Sequence, residues 1–385
     1  MPTATIDDDQ RRARLGARHL LATRGPSVEA VADALVGVHA TDPATVYLST
    51  CARLDHPATA DVDAALYDRR TLVRLLCMRR TMFAVTATTA PVVHAAAGKP
   101  IAAKERRNLL THLADGVGWD ADRLAEVEDA TLEALRRRGE ATAVELTRDV
   151  PALLEQVVVA PGKPYETRQN VSSRILRVLA AEGRTRRGRP LGTWLSSQFR
   201  WAPGTPWPDI DPAEARAELI RRRLAAYGPD TEADLKWWTG WTLTAVRRAL
   251  ADVGAVPVGL STGTGHVLPD DLDPVDRPEP WAALLPALDS TPMGWQARDW
   301  YLPTRHRPRL FDTAGNVGPT VWWNGTVVGG WAQRPDGEPV WHLLDDVGAD
   351  ATAAIAREAQ RMADWIGGTR VTPRFRTPLE KELST

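Results

Sequence analysis

Apolar positions in the first 150 residues recur at three- and four-residue spacing between short polar breaks. This predicts a largely helical start. Asp7 to Asp9 precede an arginine-rich helix through about Leu21, with the acids at its positive end. Ser27 reads as the N-cap of a helix from Val28 to about Val38, with Val31, Leu35 and Val38 on one face. The stretch His39-Ala40-Thr41-Asp42-Pro43 breaks that helix. Asp42 as N-cap and Pro43 at the first helical position then open a third, to about Arg53. After a short helix near Ala60 to Tyr67, Leu72–Met78 and Met82–Val85 read as strands joined at Arg79-Arg80. Helices over roughly Ala87–Ala97 and Ile101–Leu113 follow.

The same order returns twice. Leu124–Arg138, ended by Gly139, Ala143–Arg148 and Glu166–Ala181, ended by Gly183, are helical by spacing and stop signals. They lead into a hairpin whose basic tip is expected at Arg187-Gly188-Arg189. A Pro/Trp-rich linker, Pro203 to Asp211, precedes helices at Pro212–Tyr227, Thr231–Trp238 and Thr242–Val253, with small strands at Val256–Leu260 and His266–Leu268. Three helices and a two-stranded ribbon is the order of a winged helix, so three tandem winged helices are expected. The C-terminal region differs in kind: seven tryptophans fall between Trp281 and Trp341. Asn324-Gly325 is a type I′ hairpin signal between β-rich flanks, and Pro335–Gly337 marks a second turn. An antiparallel meander closing into a small β-barrel is expected there, with a helix from about Ala351 to Trp365 presenting Ile355, Ala359, Met362 and Ile366. The fold class is α+β, with units at residues 1–115, 116–202, 210–272 and 278–385.

Composition narrows the function. A chain of 385 residues exceeds one ordinary core, and 43% hydrophobic with 25% charged residues excludes wholesale disorder. No apolar run approaches the ~20 residues that cross a bilayer, and the first residues lack the pattern of a secretory signal. Cys51 and Cys77 alone supply neither a disulfide framework nor a cysteine zinc site, so a cytoplasmic protein without membrane association is expected. The eight histidines form no HxxxH or HExxH pair, and Ser261-Thr262-Gly263-Thr264-Gly265 is followed by no lysine or helix. Neither a metal nor a cofactor is expected.

Charge points to a partner. Net charge is only −1, so attraction to nucleic acid must be local. Five lysines leave 43 arginines, and between Arg168 and Arg200 eight arginines face one acid, Glu182. Arg168, Arg174 and Arg177 on the third helix of the second unit, with Arg184, Arg186, Arg187 and Arg189 on its wing, would face one groove and the phosphates of double-stranded DNA. The bland alternative is a solvated arginine face. His39, Thr41 and Asp42 share one junction and can orient a water; the alternative is that they merely end one helix and cap the next. In Met293–Leu302, Trp295 and Trp300 read as packing residues, while Gln296 and Arg298 can point to a ligand or phosphate.

Taken together, the polar tripeptide before Asp42-Pro43, the tandem winged helices, LLPALD at residues 284–289, MGW..RDWYL at 293–302 and GPTVWWNGTVVGGWAQ at 318–333 resemble the AlkZ/YcaQ-type winged-helix DNA glycosylases. The resemblance spans nearly the whole chain. It implies a C-shaped set of tandem winged helices and a cofactor-free, monofunctional enzyme, expected as a monomer. The implied reaction excises bulky or crosslinking N7-alkylguanine adducts, in some members as self-resistance in antibiotic producers. Family enzymes carry Gln-x-Gln or Gln-x-Asp before Asp-Pro; the matching positions here read His39-Ala40-Thr41. The resemblance thus implies His39 as general base or water orienter, Thr41 as second catalytic residue and Asp42 as a stabiliser of the cationic sugar. With an ordinary histidine pKa near 6.5, activity would fall below that pH. The competing reading is a non-catalytic winged-helix DNA-binding protein, a regulator or lesion binder.

Overall fold

The computed structural model describes residues 4–159, 162 and 166–385. The N-terminal elements are α1 (Asp8–Arg18), α2 (Val28–Ala34), β1 (Val38–His39), α3 (Pro43–Cys51) and α4 (Thr59–Asp63), the last running into a π-turn over Ala64–Asp68. Then come β2 (Leu72–Cys77), β3 (Thr81–Thr86), α5 (Ala90–Val93) and α6 (Lys99–Val117). Asp7 and Ser27 cap their helices by accepting from Gln10 N–H and Ala30 N–H, as their side chains favour. The helix expected to reach Val38 stops at Ala34. Val36 (φ 50°) and Gly37 (φ 122°) turn the chain there, and a Cβ on Gly37 would lie 2.8 Å from Val85 Cγ1. This reversal frees Val38 and His39 to join β3 as an edge strand, opposite Ala84 and Phe83.

The second group comprises α7 (Ala121–Arg138), α8 (Ala143–Asp149), β4 (Gln156–Val159), β5 (Thr167–Asn170), α9 (Val171–Ala181), β6 (Thr185–Pro190) and β7 (Phe199–Pro203). Thr142 and Glu145 form a reciprocal capping box on α8. Two expectations change. The first turn of the third helix is instead strand β5, paired with β4, so Arg168 lies on a strand. The basic Arg187–Arg189 stretch is not a hairpin tip; it runs along β6 through a register shift, and the tip is residues 191–198. The tip is docked: Trp194 packs on Tyr47 of α3 with ring centroids 5.0 Å apart. This group has its own core, to which α6 contributes Leu109 and Leu113.

The third group, α10 (Pro212–Tyr227), α11 (Glu232–Thr239), α12 (Leu243–Asp252), β8 (Val256–Leu260) and β9 (Gly263–Val267), follows the spacing closely around a small core of Ile220, Leu224, Leu235, Val246 and Leu250. The C-terminal region holds β10 (Ala282–Leu285), α13 (Arg307–Leu310), β11 (Thr320–Trp323), β12 (Thr326–Gln333), β13 (Pro339–Leu343), α14 (Gly348–Ile366) and α15 (Pro378–Leu383). Asn324 and Gly325 both take positive φ, as a type I′ turn requires.

No closed barrel forms among the described residues. The strands make an open antiparallel sheet in the order β10-β11-β12-β13. The reason lies in its two faces. Ala282, Leu284, Val321 and Val328 pack against Ile355, Ala359 and Met362 of α14. Ala283, Leu285, Trp322 and Val327 join Trp295, Trp300, Tyr301 and Leu15 of α1 in the largest core. Successive strand residues point to opposite faces, and with both faces covered the sheet has nothing to close around.

Candidate active site and basic groove

The 39–42 turn is clamped from several directions. The His39 N–H donates to Ser290 Oγ at 3.0 Å, Ser290 Oγ donates to Gly37 O at 3.0 Å, and the Ala40 N–H donates to Met82 O at 2.8 Å. Asp42 Oδ1 accepts from Ala44 N–H at 3.1 Å, capping α3, while Oδ2 accepts from Arg374 N–H at 2.9 Å. Both carboxylate oxygens therefore hold backbone, which gives Asp42 a structural role in the turn.

His39 is only 3% exposed, its ring edge-on to Phe83 at 5.3 Å. Its Nδ1 and the half-buried Thr41 hydroxyl have no hydrogen-bond partner among the described residues. Burial is unfavourable for charge, and the Arg79 guanidinium adds to it; together they push the His39 pKa down to about 3. With that shift the imidazole stays neutral down to about pH 3, so a fall in activity beginning near pH 6.5 would not come from His39. A neutral ring and a threonine hydroxyl can each hold a water, whereas an imidazolium here is costly.

Arg79 follows from the tight β2–β3 connection. Arg79 and Arg80 take φ of 53° and 59°. The Arg79 guanidinium lies 3.7 Å from the Trp237 ring centroid, and its Nε has no partner among the described residues. Burial first, then the Arg298 and Arg223 cations, lowers its pKa to about 10. Arg298 is 7% exposed, with Nε donating to Trp295 O at 2.7 Å and its guanidinium near the Trp237 and Phe311 rings. It is a core cation, not a surface phosphate contact. Gln296 is exposed, its N–H donating to Asp234 Oδ1 at 2.8 Å.

The arginine cluster divides in two. Arg184 pairs with Glu128 at 2.8 Å and Asp129 at 3.2 Å, Arg189 with Asp68 at 2.5 Å and Arg200 with Glu145 at 3.0 Å. These arginines fix β6 and β7 to their neighbours. Arg168, Arg174, Arg177, Arg186 and Arg187 have no acidic partner among the described residues. Arg168 and Arg177 are exposed; Arg174 Nη2 contacts His112 Nδ1 at 2.5 Å. Arg187 lies over Phe199 at 4.5 Å, its pKa lowered to about 10 by burial and then by Arg74 and Arg177.

Arg177, Arg186 and Arg187 do converge, and they meet residues that sequence reasoning missed. With Arg74, Arg80, Leu76 and Met82 they line a cavity of about 410 Å³ between β2 and the α9–β6 corner. Tyr67 and Arg70 line an adjoining one of about 210 Å³. Arg74 has no acidic partner among the described residues and donates to Tyr67 Oη at 2.6 Å, while Arg80 pairs with Glu105. The sequence signal for Arg74 was a lone charge among the apolar residues of a strand. Met82 lines the groove while its carbonyl holds Ala40, placing the groove beside the turn.

Comparison with known proteins bears on this arrangement. The sequence model of the family described as DNA glycosylase AlkZ-like matches residues 32–365, most of the chain. The chain belongs to the AlkZ-like DNA glycosylases. As a glycosylase of that family it is an enzyme of DNA repair that binds DNA. The fold is similar to that of Streptomyces sahachiroi DNA glycosylase AlkZ, with a TM-score of 0.72 and 21% identity over 96% of this chain and 99% of that one. A search of curated proteins finds none that matches the glycosylase in sequence. None of its described helices is long and apolar enough to cross a membrane.

Proposed function

We propose that this glycosylase is a monofunctional, cytoplasmic enzyme that hydrolyses the N-glycosidic bond of bulky N7-alkylguanine in double-stranded DNA, acting as a monomer without cofactor. Three winged-helix units at residues 1–115, 116–202 and 210–272, with a C-terminal unit at 278–385, would form a C-shaped body around the duplex. The basic groove carries the phosphates, through Arg168, Arg174, Arg177, Arg186 and Arg187, with Arg74 added from the first unit. Self-resistance to a DNA-alkylating natural product is one setting for such a substrate.

The carrying observation is the pair of unpartnered polar groups, His39 Nδ1 and the Thr41 hydroxyl, on a turn whose His39 N–H and Asp42 carboxylate are engaged elsewhere. N7-alkylation makes guanine cationic. As the C1′–N9 bond breaks, its electron pair moves to the purine, which leaves neutral, and the sugar becomes an oxocarbenium ion. Water adds to C1′ and its proton passes to solvent. His39 orients that water by a hydrogen bond and does not store the proton, because burial and Arg79 oppose imidazolium. Thr41 offers the second contact, and Asp42 holds the turn. Single-turnover excision from N7-alkylguanine DNA, comparing wild type with His39→Ala, tests this reading. Release no faster than spontaneous depurination across small and bulky adducts would leave a lesion binder.

A further inference from the structure

The family model matches residues 32–365, and a short tail follows it. After α14 the tail is anchored twice. The Gln333 side chain accepts from Val371 N–H at 2.7 Å and donates to Thr369 O at 3.2 Å. Further on, Thr377 and Leu379 are buried, Leu379 within the largest core. Between these anchors the tail crosses the 39–42 turn, where Arg374 N–H donates to Asp42 Oδ2.

The backbone bond leaves the Arg374 side chain free for other work. It is exposed and has no acidic partner among the described residues; its guanidinium lies 5.8 Å from the Phe375 ring. Its charge also reaches the groove. After burial, Arg74 and Arg177, Arg374 is a further cation that lowers the Arg187 pKa. One residue thus touches the catalytic turn through its backbone and adds to the groove's field through its side chain. A guanidinium fork suits a phosphodiester, which accepts two parallel hydrogen bonds.

We propose that Arg374 is a positioning residue that binds the DNA phosphate flanking the nucleotide presented to the 39–42 turn, fixing the register between groove and turn. This rests on the reading of the groove as the path of DNA. A base misplaced by about 1 Å can lose roughly 10²-fold in rate, so a register contact affects turnover as well as affinity.

The test uses the full chain, a duplex carrying one N7-alkylguanine and an undamaged duplex. Arg374→Ala keeps the N–H that holds Asp42, so the melting temperature should be unchanged. Its log–log salt slope of binding should fall by about 0.9, the value of one bound phosphate. Excision at saturating DNA should fall roughly ten-fold or more. Arg374→Lys should restore the slope but only part of the rate, because a point charge replaces a fork. Arg370→Ala, at an exposed arginine before the Val371 anchor, should change neither. If Arg374→Ala lowers the melting temperature, Arg374→Gln, which keeps the stem without the charge, decides by the same slope. Unchanged slope and rate, alongside weakened binding in Arg186→Ala/Arg187→Ala, would overturn the role of Arg374 alone. Unchanged binding in both would remove the groove reading, and this proposal with it.

Discussion

The 39–42 turn and the arginine cluster both stand out in sequence by their polar residues, yet they fold into opposite environments. The turn is largely buried, its imidazole neutral, and it is tied by backbone hydrogen bonds that leave two polar atoms without partners. The cluster is open and cationic, but three of its eight arginines are consumed by ion pairs. On the proposed reading, reactivity in the turn depends on what remains unpaired after burial, and affinity in the groove on what remains unneutralised after pairing. Counting histidines or arginines gives neither quantity.

The largest expected effect bears on the turn. His39→Ala should lower single-turnover excision roughly 10²-fold, with DNA affinity nearly unchanged. His39→Gln, an amide that can also orient a water, should keep part of the rate. Equal rates in all three proteins would end the catalytic reading of the turn.

Folded stability separates the two regions by pH. An unfolded His39 takes a proton near pH 6.5 but the folded one resists until about 3, so the unfolded chain binds more protons between those values. Its contribution is fully present above 6.5 and is lost as pH falls towards 3. His94, pushed down to about 4 chiefly by burial, acts in the same direction; Asp230, raised to about 6 by burial, acts oppositely. The comparison that isolates His39 is the melting temperature at pH 7 and pH 4: the drop should be smaller in His39→Gln than in wild type. His39 itself should introduce no bend near pH 6.5 in the excision rate.

In the groove, Arg186→Ala with Arg187→Ala should weaken binding to intact and damaged DNA alike, reducing the salt slope by about 0.9 for each phosphate that is no longer neutralised. Arg189→Ala, which breaks an exposed pair with Asp68, should change the slope little. A larger effect from Arg189 than from Arg186 and Arg187 would invert the division between free and paired arginines. A modest effect is expected from Asp42→Ala: about 1 kcal/mol of stability for the cap on α3, and more from the bond to Arg374 N–H that goes with it, measured by denaturant midpoint.

Local chemistry made much of the fold legible. Asp42-Pro43 and Ser27 cap helices where such residues belong, and Asn324-Gly325 makes its turn. The third group followed its helical spacing closely, because a core of neighbouring helices rewards the same periodicity that local propensity does. The family resemblance also supplied the candidate turn. What failed depended on distant partners. His39 became a strand residue because β3 lay beside it, and the first turn of α9 became β5 because β4 did.

By itself, then, the sequence determined where several helices start, where the Asn324-Gly325 hairpin reverses, which family the chain resembles and that arginine is concentrated between residues 168 and 200. Tertiary structure alone decided that the C-terminal strands stay an open sheet, since α14 and the aromatic core cover its two faces. It also decided that Arg298 is a core cation, that Arg74 joins Arg187 in one groove, and that Arg374 meets Asp42 across 332 positions. Burial and charge pairing depend on separation in space, and a residue's neighbours in sequence do not fix that separation.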